Sequence, residues 1–257
     1  VSDWDAAAYR RVAAPQFAWG RALLDRVPAT RGIVIDAGCG DGRLTAELAA
    51  RVAPAAVVAI DRSPAMAALA RRALPGHVPV VRADAARLPF RRAAAGIFSA
   101  ATFHWIEDHP RLFASLHDAL GPGGWLVAQF GGAGNLGGAR ARAERLSRDT
   151  LFAPHLDGFR YPTYFAGVEE TVARLTAVGF VDVNVTLEPA PTSFPDRTAY
   201  AEFVRTVIVR LYLDRLPVNL RDEFLGRFTD EAAADQPPFT LDYVRLNVNG
   251  RAGHVAF

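Results

Sequence analysis

Lysine is missing from this 257-residue chain, and cysteine and methionine each occur once. A single cysteine, Cys39, excludes a disulfide framework and the clustered cysteines of structural zinc and iron–sulfur sites. Radical chemistry at a cysteine-bound cluster goes with them, and nothing demands an oxidising compartment. Without lysine, all 29 basic residues are arginine, and they are interspersed with 27 acids to leave a net charge of only +2. No run of five or six basic residues marks a nucleic-acid or membrane surface, so the surface reads as mixed and solvated. No apolar run reaches the roughly 20 residues that span a bilayer. The opening residues, Val-Ser-Asp-Trp-Asp, are acidic where a secretory signal is basic, and the expected compartment is the cytoplasm.

What is present is a regular alternation. Short apolar runs at 32–37, 56–61, 78–83, 96–102 and 123–130 read as strands, with helices near 42–52, 64–73 and 110–120 between them. That order is the mark of a parallel sheet covered by helices. Pro110 suits the first turn of its helix, and Gly121-Pro122-Gly123-Gly124 ends that helix and turns the chain into the fifth strand. The glycine-rich run 131–138 then leads into an Arg-rich helix near 139–151. A helix near 167–178 and a strand near 181–187 resume the pattern. Residues 197–214 and 219–234 read as two amphipathic helices, and 239–249 alternates as a closing strand. The expectation is one α/β domain over 1–257: a Rossmann-like, doubly wound, mostly parallel seven-stranded sheet with helices on both faces. Helical cap elements are expected at about 134–165 and 190–237.

The most informative stretch is Val34-Ile35-Asp36-Ala37-Gly38-Cys39-Gly40-Asp41-Gly42, a strand running into a glycine-rich turn and then a helix. Glycines let a backbone approach a ligand closely. A nicotinamide dinucleotide site requires G-x-G-x-x-G. Here the third glycine, Gly42, comes one position early, and Arg43 stands where glycine or alanine belongs. Two more acids follow at strand ends. Asp61 closes Val57-Val58-Ala59-Ile60-Asp61, about 20 residues after the turn, where a carboxylate can accept hydrogen bonds from both ribose hydroxyls. Asp84 follows Val81-Arg82-Ala83, within reach of an adenine amino group. Either acid alone reads equally well as a loop or cap residue; the series Asp36, Asp61, Asp84 points to a nucleoside.

On these residues the chain resembles the class I S-adenosylmethionine (SAM)-dependent methyltransferases, over at least residues 30–130. The resemblance implies that Asp36 and the turn Gly38, Cys39, Gly40, Gly42 face the methionine part. It implies further that Asp61 with Arg62 meets the ribose, that Asp84 and Ala85 meet the adenine edge, and that Met66 packs on the adenine ring. The resemblance also implies that Ala101, near the end of the fourth strand, is among the cofactor-binding residues. Cys39 is read as small and inert. Core packing is the alternative for Met66.

Beyond the fourth strand comes Phe103-His104-Trp105-Ile106-Glu107-Asp108-His109-Pro110. The Asn/Asp-Pro-Pro-aromatic sequence of DNA amino-methylating enzymes is absent, and Asp235-Gln236-Pro237-Pro238-Phe239 reads as a turn before the last strand. His104, Glu107 and His109 lack the H-E-x-x-H zinc spacing, so no metal is expected. The segment is similar to trans-aconitate methyltransferases and, more distantly, to malonyl-carrier-protein, juvenile hormone acid and salicylate-type carboxyl methyltransferases. In the last two groups a loop tryptophan and an N-terminal glutamine grip the acceptor carboxylate. The resemblance implies the same for Trp105 and Gln16, with Tyr9, Trp19, Phe103 and His104 around a small-molecule acceptor. Two donors can fix one oxygen of a carboxylate in line with the methyl group, and a carboxylate is already ionised near neutral pH. Two alternatives stand: a carbon or hydroxyl methyltransferase using His104 as base, and a SAM-binding protein without catalysis.

Overall fold

The computed structural model describes residues 5–253. Its helices are α1 (Ala6–Val12), α2 (Ala14–Leu24), α3 (Arg43–Val52), α4 (Pro64–Ala73), α5 (His109–Ala119), α6 (Gly137–Ser147), α7 (Ala153–Leu156), α8 (Val168–Ala177), α9 (Arg197–Val207), α10 (Arg210–Leu213) and α11 (Val218–Ala233). The strands are β1 (Ile33–Ala37), β2 (Ala56–Asp61), β3 (Val80–Arg82), β4 (Ala94–Ala100), β5 (Leu120–Gly131), β6 (Phe180–Pro189), β7 (Thr192–Ser193), β8 (Thr240–Leu241) and β9 (Val244–Ala252). Seven of them form one sheet in the order β3-β2-β1-β4-β5-β9-β6. β1 to β5 are parallel, and β9 runs antiparallel to β5.

The chain divides into two compact units. The sheet unit comprises Ala14–Ala133, Thr163–Glu188 and the chain from Arg245 onward. Its central strands β1, β4 and β5 are buried on both faces over most of their length, which explains their near-continuous apolar character, whereas β3 and β6 at the edges are largely open. Val34, Val57, Phe98 and Val127 pack with Leu23 of α2 and Leu48 of α3; Ile35, Ile97, Leu126 and Leu246 pack with Leu112 and Leu116 of α5 and Leu175 of α8. Sheet order reverses between β1 and β4, where open α/β sheets leave a crevice at their carboxyl ends.

The second unit comprises the chain up to Ala13, Gly134–Pro162 and Pro189–Val244. It takes in the segments expected as cap elements apart from 163–165. Its core is aromatic: Phe152 meets Phe224 edge-on at 5.0 Å, and Tyr200 stacks on Phe228. Buried Arg142 gives two hydrogen bonds to Asp235, at 2.6 and 2.7 Å, and lies over Phe228. Among the described residues no helix is long and apolar enough to cross a membrane.

Several boundaries differ from the sequence expectation. The helix expected over 197–214 breaks after Val207, because Thr206-Val207-Ile208-Val209 are consecutive β-branched residues that crowd the helical backbone. The Arg-rich helix ends at Ser147, where Ser147 and Asp149 make local side-chain hydrogen bonds that compete with the helix. The third strand shrinks to Val80–Arg82 behind Pro79, which has no N–H to donate. The strand expected over 239–249 splits into β8, which pairs with β7, and β9. The break is held by Asp242 and Tyr243, whose carbonyls accept from Leu136 and Ala190 instead of a sheet neighbour.

Candidate active site

The carboxyl ends of β1, β2 and β4 are tied into one frame. The N–H groups of Gly38 and Cys39 donate to Ile60 O at 2.7 and 2.9 Å, and Gly40 N–H donates to Asp61 Oδ2 at 2.9 Å. From the other side, Ser99 Oγ donates to Ala37 O and Thr102 Oγ1 lies 3.2 Å from Gly38 O. Gly38 and Gly40 have φ of +86° and +55°. A Cβ on Gly38 would sit 2.1 Å from Thr102 Oγ1, whereas one on Gly40 would meet nothing within 4 Å. The turn is therefore braced on its protein side and open on the other. Ala101 has φ +54°, a strained conformation for a residue with a Cβ, and donates its N–H to Gln129 O. Strain of this kind concentrates where a backbone is held for a ligand.

The acids behave differently from one another. Asp61 ends β2 partly exposed, with Oδ1 accepting Ser63 N–H at 2.8 Å and Oδ2 accepting Gly40 N–H. A carboxylate has about four acceptor sites, two on each oxygen, so one such group can hold several donors at once. Asp84 caps the short turn Ala85–Arg87 through Oδ1 and Ala86 N–H. Asp36 is 2% exposed, and its Oδ2 accepts Thr45 Oγ–H at 2.6 Å. Burial pushes its pKa up to about 7, the Thr45 hydrogen bond opposes this, and Asp61 adds to it. Arg62 is exposed, Met66 is buried behind the Ser63 N-cap of α4, and Ala85 is buried. Burial, Asp36 and Asp61 push the Cys39 thiol far up, which keeps it protonated and unreactive. A braced glycine turn with an open side, beside a partly exposed carboxylate at the end of β2, fits a nucleoside carrying an amino-acid tail.

The acceptor candidates separate. Phe103, expected at the acceptor, is fully buried and packs on Phe130 at 5.4 Å, which corrects it to a core residue. Its carbonyl takes His109 Nε2 at 3.2 Å, and His109 lies wholly buried among Phe113, Phe130 and Tyr164. His104 Nδ1 accepts Gly131 N–H at 3.3 Å, so the ring proton is on Nε2. Burial, Arg245 and His109 push its pKa down to about 3. Trp105 ends the 3₁₀ turn Phe103–Trp105 with its ring 5.4 Å from that of His104. Gln16 occupies the first turn of α2, with its side-chain oxygen buried. One turn later Gly20 lies against Leu44 and Ala100, and helical spacing sets Gln16 on the same face. Trp19 follows on α2 with the Arg245 guanidinium 4.7 Å over its ring. Tyr9 belongs to α1, in the other unit.

Sequence reasoning missed Thr45, Thr102, Ser63 and Arg245. The first three have local signals: Thr45 opens the helix after Asp36, Thr102 follows the fourth strand, and Ser63-Pro64 is an N-cap signature. Arg245 has none.

The fold and this site define a class I SAM-dependent methyltransferase. A family model described as a methyltransferase domain matches residues 35–128. The trans-aconitate 2-methyltransferase of Methylobacterium nodulans is 34% identical over 241 residues, 93% of this chain and 92% of the relative. That of Variovorax paradoxus is 32% identical over 249 residues, 95% of this chain and 94% of the relative. The chain belongs to the trans-aconitate 2-methyltransferase family. Among solved structures, Haemonchus contortus phosphoethanolamine N-methyltransferase 2 in complex with SAM has a TM-score of 0.62 at 17% identity, covering 97% of this chain and 57% of that one. A putative methyltransferase from Bacillus halodurans has a TM-score of 0.60 at 14% identity, covering 92% and 100%. Likeness at these identities speaks for the fold alone.

Proposed function

We propose that the protein methylates a carboxylate oxygen of a small organic acid, with trans-aconitate, the acid its relatives are named for, as the candidate acceptor. The observation that carries the reading is the state of His104. Its Nδ1 is engaged by Gly131 N–H, and burial, Arg245 and His109 hold its pKa well below the usual imidazole range, which makes it a poor base for a phenol or a carbon acid. A carboxylate needs no base. SAM, when bound, supplies a methyl group on a cationic sulfur. An oxygen lone pair of the acceptor forms the new C–O bond while the C–S bond breaks and its electron pair stays on sulfur, so no proton moves. What remains for the protein is to aim the oxygen and exclude water, and Gln16 and Trp105 carry the donors suited to aiming. Incubation with methyl-labelled SAM and a panel of small acids and phenols tests this. Base-labile label on acids supports the reading; label only on phenols or carbon centres overturns it.

The cofactor roles of the three acids make two predictions. Asp61→Ala is expected to weaken SAM binding by about 1–3 kcal/mol, the usual loss for hydrogen bonds to a charged group. It also strips Gly40 and Ser63 of an acceptor, so Asp61→Asn, which keeps one oxygen, is expected to fall in between. Calorimetric titration of folded variants checks this, and an unchanged Kd would remove Asp61 from the site.

Asp36 predicts a proton linkage. Its pKa rises from 3.8 to about 7 on folding, so the folded state favours the protonated form. The stability this contributes is full below pH ~4 and is lost as pH rises through about 7. A cationic ligand bound nearby favours the ionised form. SAM binding near pH 6.5 is therefore expected to release protons, and to become proton-neutral above pH ~8. Binding heats at pH 6.5 in buffers of different ionisation enthalpy measure the release; identical heats would sink the linkage.

A further inference from the structure

We propose that His109 is a positioning residue for methyl transfer: by holding the Phe103 carbonyl it fixes the 3₁₀ turn that presents the Trp105 indole N–H to the acceptor. The inference rests on the reading above in which Trp105 aims the acceptor carboxylate. The turn is fastened from outside by Tyr164 N–H, which donates to His104 O at 2.9 Å, and by Gly131 N–H, which donates to His104 Nδ1 at 3.3 Å. His109 adds a bond of another kind. Its Nε2 lies 3.2 Å from Phe103 O, the oxygen that also accepts Ile106 N–H at 3.0 Å and so closes the turn around Trp105. A carbonyl oxygen has two lone pairs, and these two donors use both. Hydrogen bonds in 3₁₀ turns are poorly aligned, so a second donor on the same oxygen decides which way it points.

His109 is itself rigidly seated. It opens α5, whose N-cap Asp108 accepts Arg111 N–H at 3.0 Å and whose next residue is Pro110. The residue is 0% exposed, with its ring edge-on to Phe130 at 5.7 Å and to Tyr164 at 5.0 Å, and tilted against Phe113 at 5.4 Å. Tyr164 is fixed in turn, its hydroxyl donating to Glu170 at 2.6 Å and accepting from Arg174 at 3.0 Å. Among the described residues the imidazole's only hydrogen-bond partner is Phe103 O, and Nδ1 is buried without one.

Stability does not account for an imidazole in this aromatic cage. One neutral hydrogen bond contributes little net to folding, while a buried acceptor left unpaired costs at least as much. A phenylalanine fills the same space without that cost. What it lacks is an N–H delivered from a rigid helix start to the turn whose next two side chains, His104 and Trp105, remain partly open.

The test separates stability from aim, with trans-aconitate as acceptor. His109→Phe keeps the ring contacts and deletes the N–H, whereas His109→Gln returns an amide N–H close to the place of Nε2. His109→Phe is expected to keep or raise Tm and to leave SAM affinity within about 3-fold, while kcat falls about 5- to 20-fold. His109→Gln is expected to recover most of that loss. In a Trp105→Phe background, His109→Phe is expected to cost less than about a further 2-fold, because both changes spoil one aim. The Trp105 indole N–H resonance, assigned by its absence from Trp105→Phe, is expected to move in His109→Phe and to return in His109→Gln. An unchanged kcat in His109→Phe beside a damaging Trp105→Phe overturns the positioning role and leaves the carboxylate reading standing. So does an equal loss of kcat in both backgrounds with the indole resonance unmoved. An unchanged kcat in Trp105→Phe overturns the aiming role of Trp105 itself, whatever His109→Phe does. Should His109→Phe fail to fold, the imidazole nitrogen shifts of the wild-type protein decide: they are expected to show the Nε2–H tautomer, and the Nδ1–H tautomer overturns the proposal because no N–H then reaches Phe103 O.

Discussion

Trp105→Phe is expected to lower kcat by about 10- to 100-fold on a small carboxylic acid while SAM affinity stays within a factor of about 3. Phenylalanine keeps most of the apolar volume of the 3₁₀ turn and deletes only the indole N–H. Gln16→Leu deletes the other donor on the first turn of α2. The expected loss comes from aim: negative charge leaves the carboxylate as the methyl arrives, so the donors gain nothing electrostatically in the transition state. An oxygen displaced by about 1 Å from the line of attack costs on the order of 100-fold. If both donors serve one group, the double variant departs from additivity. His104→Ala is the comparator. It removes the acceptor of Gly131 N–H, so it is expected to lower stability by about 1–3 kcal/mol, the range for orphaning a buried donor. With SAM and acceptor saturating, so that the Asp36 linkage in SAM binding drops out, the wild-type kcat is expected to show no titration near pH 6–7, because burial keeps His104 neutral there. Steady-state kinetics across pH 5.5–8.5 decide the matter. A His104→Ala variant that folds but does not turn over, beside an unaffected Trp105→Phe, would falsify the clamp.

Gly38→Ala is expected to damage both folding and cofactor binding. At φ +86° an alanine pays about 1–2 kcal/mol for the left-handed backbone. Its Cβ would also lie 2.1, 2.3 and 2.6 Å from Thr102 side-chain atoms, an overpacking worth about 1–3 kcal/mol more. For a domain of this size the sum of roughly 2–5 kcal/mol lowers Tm by roughly 4–20 °C. Relief of the collision pushes β1 and β4 apart where the turn meets Asp61, so SAM affinity is expected to drop at least ~100-fold. Gly40→Ala separates the two effects. Its Cβ meets nothing in the protein, so stability is expected to change by only about the backbone cost, while SAM binding falls if the cofactor lies against that open side. Combining Gly38→Ala with Thr102→Gly is expected to recover the steric part alone. Thermal unfolding with and without SAM measures both. A Gly38→Ala protein with wild-type Tm and SAM affinity would overturn the bracing.

Much of this was legible in the sequence because it is local. β2 and α4 fall on the residues that the apolar run 56–61 and the helical pattern 64–73 predict, and Asp36 and Asp61 stand at or beside strand ends because period and turn chemistry put them there. The helix over 197–214 was misread for an equally local reason, since amphipathic spacing outweighed four consecutive β-branched residues. Phe103 shows where locality fails. Its neighbours Trp105 and His104 share its segment, yet a 3₁₀ turn buries one ring completely and leaves the next partly open.

The sequence by itself determined the class: a strand, a glycine turn and spaced acids each form within a few residues, and together they specify a nucleoside carrier on a parallel sheet. The tertiary structure decided the chemistry at the acceptor edge. Asp36 acquired its raised pKa from the helix that buries it, and His104 lost its basicity to enclosure and to a guanidinium 141 positions along the chain (245 minus 104). Arg245 reaches that edge only because an antiparallel strand is inserted between β5 and β6. Electrostatic energy depends on distance through space and on the water removed, and neither is a property of neighbouring residues in the chain.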